Sequence, residues 1–150
     1  MTIILPLQSD LILAAAALIV ALRADMNGAE VCTVADVRPV LIRAMSQPGY
    51  CGLIATARNG EPIGYLGMND RFAIYAGGAF AQITELYVVP EARRKGVAAD
   101  LLTYAEARAR MKSARSIELG APPVDTHPGT QAFYGALGYL AVGPRMTKTL

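Results

Sequence analysis

The stretch Ile83–Ala98 (ITELYVVPEARRKGVA) constrains this chain more than any other part of it. Its first seven residues are β-rich, and strand alternation places Glu85, Tyr87 and Val89 on one face and Thr84, Leu86 and Val88 on the other. Pro90 cannot donate to a ladder and ends the strand. After a turn over 91–95, a helix starts near Gly96 and runs to about Lys112, with Val97, Leu101, Leu102 and Ala105 at helical spacing. Arg93, Arg94 and Lys95 therefore stand just ahead of a helix N-terminus, where the helix dipole favours acidic residues instead. The first N–H groups of a helix have no internal partners, so an anion bound there satisfies donors and dipole together. Gly96 and the small Ala98 leave the backbone open to approach. Two readings fit this turn: a polyanion seat, or a basic turn that is merely solvated.

The remaining elements read as one mixed α/β domain over 1–150, with neither repeat nor linker. Thr2–Leu7 reads as a strand, 10–25 and 35–45 as helices, and 53–57 and 62–68 as strands around Asn59-Gly60, a strong hairpin signal. Residues 70–82 read as a looser stretch. Residues 117–121 form a further strand, Gly129–Leu137 a last helix, and 139–142 and 146–150 closing strands. Leu11–Leu22 is an unbroken apolar run, shorter than the ~20 residues a membrane span requires. No Lys or Arg precedes it, so it reads as a buried helix of a cytoplasmic protein, with no membrane partner. A net charge of +2 does not point to nucleic acid. Two cysteines without a CxxC, and one histidine, make no metal site, and both cysteines read as reduced core thiols. Neither GxxxxGK[ST] nor a GxGxxG after a strand is present, which excludes the common ATPase and dinucleotide loops.

The turn carries Arg93, Gly96 and Ala98 at the positions of [RQ]-x-x-G-x-[GA], and this segment resembles the central motif of the GCN5-related N-acetyltransferase (GNAT) superfamily. A second segment, Gly129–Tyr139 (GTQAFYGALGY), resembles the closing helix of that family, and the hairpin ARNGEPIGYLGM resembles its second and third strands. The resemblance implies a central, mostly antiparallel sheet whose fourth and fifth strands splay apart, flanked by about four helices. It implies acetyl-coenzyme A as co-substrate, with no metal. The pantetheine arm would pair with the strand edge Leu86, Tyr87, Val88 and Val89, and the pyrophosphate would rest on Arg93, Arg94, Lys95, Gly96, Val97 and Ala98. Phe133 counts among the coenzyme contacts. His127 stands where many relatives carry Asn, and could replace that contact, act as a second proton carrier, or have no role.

Acetyl transfer to an amine requires a base, because a free alkylammonium has a pKa of roughly 10, and a donor for the departing thiolate. Glu85, a carboxylate within an apolar strand, is the expected base, with a plain salt bridge as the alternative. Tyr134, matching the tyrosine of the family's closing helix, is the expected acid, and an aromatic core role beside Phe133 is its alternative. The acceptor is expected to be a small-molecule or peptide amine. The resemblance places it near 25–30 and 70–82, where Asp25, Glu30 and Asp70 could hold a cation and Phe72, Tyr75 and Phe80 could line a slot. A coenzyme-binding regulatory module without turnover is the rival class. Family members often pair, which leaves a homodimer open.

Overall fold

The computed structural model describes residues 2–27 and 32–150. The order is β1 (Ile3–Pro6), α1 (Ile12–Asn27), α2 (Val34–Met45), β2 (Tyr50–Thr56), β3 (Pro62–Ala73), β4 (Gly78–Val88), α3 (Val97–Met111), β5 (Ile117–Leu119) and α4 (Pro128–Ala136). The strands form one sheet in the order β1-β2-β3-β4-β5, antiparallel from β1 through β4 and parallel between β4 and β5. The chain divides into two compact units, Met1–Glu118 and Leu119–Leu150.

Within the first unit the apolar run of α1 buries Ala15, Ala16 and Leu18 against Val37 and Leu41 of α2 and Ile54, Tyr65 and Tyr87 of the sheet. Helix α2 starts at a capping box. The Thr33 hydroxyl accepts from the Asp36 N–H at 3.2 Å, and the Asp36 carboxylate accepts from the Thr33 N–H at 2.9 Å. This fixes where the second helix enters and so where its apolar face lies. Helix α3 buries Val97, Leu101, Leu102, Ala105 and Ala109. Its Arg108 reaches Asp70 of β3 at 2.6 Å, a half-buried pair that ties this helix to the sheet.

Three expectations are corrected. Residues 70–82 are not loose: β3 and β4 form a continuous hairpin, Asp70 pairing with Ala81 and Ala73 with Gly78. Residues 139–142 and 146–150 hold no regular strand; their apolar side chains Leu140, Val142 and Met146 are exposed. Cys32 and Cys51 are free thiols but only half-buried, not core residues.

Candidate active site

Strand β4 does not alternate as a regular strand would. Gly67 pairs with Glu85 and the next residue, Met68, pairs with Ile83, so Thr84 is an extra residue opposite β3. Such a bulge brings adjacent side chains toward one face and re-aims them. The Thr84 hydroxyl accordingly donates to Glu85 Oε2 at 2.6 Å, a contact between neighbours that straight alternation forbids. Gly67 has no side chain, and a Cβ there would collide with that carboxylate oxygen and lie 3.1 Å from the Tyr65 hydroxyl. Burial pushes the Glu85 carboxyl above its usual range, and the Thr84 hydrogen bond only partly opposes this.

Glu85 lies in the floor of a cavity of about 390 Å³. Tyr50, Tyr65, Asn69 and Thr84 complete the sheet side, while α1 and α2 supply the facing wall. The hydroxyls of Tyr50 and Tyr65 contact each other closely. Tyr65 is fully buried. Burial pushes the Tyr50 hydroxyl up to about 12 and the Tyr65 hydroxyl higher still, and the Glu85 charge adds to both shifts. Both phenols therefore stay neutral wherever proteins work, and Glu85 is the group in this floor that can take a proton.

The edge of β4 beyond the bulge is exposed for pairing. The Val89 N–H donates to Ile63 O at 3.0 Å, and the alternation of an antiparallel ladder then turns the N–H and C=O groups of Leu86 and Val88 away from β3. Strand β5 is three residues long and follows hydrogen bonds at Ala79 and Ala81, so it ends before Leu86. The Tyr87 backbone and the Val89 N–H face β3 instead.

The turn before α3 carries the second part of the site. Arg94, at φ 60°, and Gly96, at φ 86°, both adopt left-handed backbone. For arginine this conformation costs about 1 kcal/mol or more, and such outliers cluster at ligand clamps. Backbone N–H groups gathered in a tight turn can form an anion-binding nest. The first intrahelical bond runs from Asp100 N–H to Gly96 O. Residues 93–96 form a turn, and among the described residues no backbone hydrogen bond of good geometry is donated by the N–H groups of Arg94 through Ala99. A Cβ at Gly96 would meet nothing within 4 Å, so the space over the turn is open. Arg94 and Lys95 are exposed, with no ion-pair partner among the described residues. Arg93 differs from both. Its Nε donates to Val88 O at 2.9 Å, its Nη2 pairs with Asp25 at 2.5 Å, and its guanidinium lies 5.6 Å from the Tyr87 ring centroid. Its own N–H bonds Pro90 O. Arg93 thus shapes the turn.

The family model described as the Acetyltransferase (GNAT) family matches residues 21–139. The chain belongs to that family. An aminoalkylphosphonate N-acetyltransferase of Salmonella typhimurium is 33% identical over 95 residues, which span 62% of this chain and 59% of that protein. Among solved structures, a transcriptional regulator from Bacillus halodurans C-125 shares the fold at TM-score 0.83 and 19% identity, with both chains covered in full. An aminoglycoside 6'-N-acetyltransferase from Acinetobacter haemolyticus does so at 0.77 and 19%, covering 99% of this chain and 97% of that one.

Membership of the GNAT family implies acetyl-coenzyme A as co-substrate. In the second unit, Tyr134 packs against Phe133 and Tyr139 at ring distances of 5.4 and 5.8 Å. Burial pushes its hydroxyl upward. His127 is exposed at the start of α4, its Nδ1 2.9 Å from the Thr126 hydroxyl.

The residues expected to surround the acceptor do not converge on the cavity beside Glu85. Asp25 is paired with Arg93, and Asp70 with Arg108. Phe72 and Tyr75 are 80% and 76% exposed, whereas Phe80 is buried. None of the five lines the cavity beside Glu85. Residues 28–30, including Glu30, lie outside the described residues. Sequence reading missed Tyr50, Tyr65, Gly67 and the inner face of α2. Tyr65 inside a predicted strand was the available signal, but Tyr50 stands ahead of the strand expected at 53–57 and nothing in the sequence pairs the two.

Proposed function

We propose that this enzyme transfers the acetyl group of acetyl-coenzyme A to a primary amine by direct attack, with Glu85 as the base and Tyr134 as the acid. Residues 1–150 act as one acetyltransferase domain in the cytoplasm. The observation that carries the reading is the Glu85 carboxyl. It is raised by burial, held on one oxygen by Thr84, and set in the floor of an open cleft. A base with a raised pKa is better matched to an alkylammonium than an ordinary carboxylate is. Thr84 orients Oε2, which leaves Oε1 to accept the proton.

The co-substrate supplies the activated acyl group; this chain's residues bind and orient it and move protons. Leu86 and the Val88 N–H offer outward backbone groups, the Val88 carbonyl being taken by Arg93, and the N–H groups of Arg94–Ala99 with Arg94 and Lys95 offer a seat for the diphosphate. The Tyr134 hydroxyl, raised by burial, stays protonated at neutral pH and so can donate to a leaving thiolate. Thiol release from acetyl-coenzyme A, followed with a panel of primary amines, tests the reading. Acceptor-dependent release is expected; binding of the coenzyme with no release for any amine would refute it.

A further inference from the structure

The cavity beside Glu85 has two chemically different sides. Facing the sheet floor, α1 and α2 present an apolar stretch of Ile19, Val37, Val40, Leu41 and Ala44, and the polar side chains on that side are Arg23, Asp36 and Gln47. The floor holds one ionisable carboxylate, Glu85, among neutral hydroxyl and amide groups. Arg23 and Asp36 stand together at one end, close enough to influence each other's charge. A polyhydroxylated acceptor would turn hydroxyls against the α1–α2 wall and leave them unpaired, a cost of about 1–3 kcal/mol for each buried group. A dianionic acceptor would meet Glu85 at the floor and Asp36 beside Arg23. A monocationic amine with a hydrocarbon body matches both sides, its nitrogen at Glu85 and its carbons on the helices. The volume, about 390 Å³, lies in the lower part of the range for small-ligand sites.

We propose that the acceptor is a small primary alkyl- or arylalkylamine, held nitrogen-down on Glu85 with its apolar body against Val37, Val40 and Leu41 of α2. This rests on the acetyl-transfer reading above. It differs from the substrate in the name of the Salmonella relative, whose phosphonate this cavity would receive poorly.

The test is steady-state thiol release at fixed acetyl-coenzyme A. The acceptors are ethylamine, butylamine, 2-phenylethylamine, 2-aminoethylphosphonate and an aminoglycoside. The expected result is kcat/KM rising about fourfold per methylene from ethylamine to butylamine, the ratio that burying one CH₂ produces. 2-Phenylethylamine should exceed the phosphonate and the aminoglycoside by at least about tenfold, from the same buried area. Val40→Asp, at a position 55% exposed and so safe for folding, should raise KM for 2-phenylethylamine about tenfold or more, with coenzyme affinity intact. A flat chain-length dependence, or preference for the phosphonate or the aminoglycoside, overturns the inference and leaves acetyl transfer standing. No thiol release with any amine overturns both.

Discussion

Replacing Gly67 with alanine separates the chemistry at Glu85 from the stability of the fold. Gly67 has no positive φ, so its backbone tolerates a side chain. The obstacle is local, because the new Cβ would overlap Glu85 Oε2 and press on the Tyr65 hydroxyl at 3.1 Å. The carboxylate is the free end of a flexible side chain and moves first, leaving its 2.6 Å hydrogen bond to Thr84. Losing a glycine from a strand stabilises by about 0.5–1 kcal/mol. Displacing Glu85 and losing one hydrogen bond costs about 1–2 kcal/mol. The two nearly cancel, so Tm should move by only about 2–4 °C in a chain of this size. Turnover responds differently, since a base displaced by an ångström costs about 10²-fold. The assay pairs a thermal melt with thiol release over a pH series. A variant of near-parental Tm that also keeps the parental kcat/KM and acid limb would refute the placement of the working carboxylate over Gly67.

Glu85→Gln should lower kcat/KM by about 10²–10⁴-fold, the usual contribution of a general base. It should also stabilise the fold. Burial raises the folded pKa above the unfolded one, so wild-type stability falls as pH climbs from the ordinary carboxylate range through the raised value. The Tm advantage of the Gln variant should therefore be absent at low pH and grow upward through that window; a constant difference would contradict the shift. Tyr134→Phe should cut kcat by about 10²-fold or more with coenzyme affinity preserved, as read by single-turnover kinetics and calorimetry; parental kcat would remove the hydroxyl from the reaction. Arg94→Gly relieves a left-handed arginine and should stabilise by up to about 1 kcal/mol while weakening coenzyme binding several-fold; tighter binding would speak against the nest.

Local features were legible in the sequence and nonlocal ones were not. The strand–turn–helix at 83–98, the Asn59-Gly60 hairpin and the apolar α1 each follow from contiguous residues, because caps, breakers and periodicity act within a few positions. The bulge at Thr84 escaped, since strict alternation in ITELYVV is broken by register against Gly67, and only the paired strands set that register. The ion pairs of two expected acceptor residues escaped for the same reason. Asp25 and Asp70 look available until their partners Arg93 and Arg108, far along the chain, take them up. The β3–β4 hairpin was obscured by Asp70, Arg71, Gly77 and Gly78, polar and glycine residues that an exposed hairpin end tolerates. Alternating apolar residues in the last segment suggested strands that the structure does not form.

The central claim is that the turn at Arg94–Ala98 binds the diphosphate of an acyl-coenzyme A. Isothermal titration of the folded protein with acetyl-coenzyme A tests it most directly. The account predicts saturable heat in the micromolar to sub-millimolar range usual for enzyme substrates, and at least ~100-fold weaker binding for Gly96→Glu, which sets a side chain and a negative charge over that turn. Absence of heat at millimolar ligand, or equal affinity in the two proteins, would contradict it.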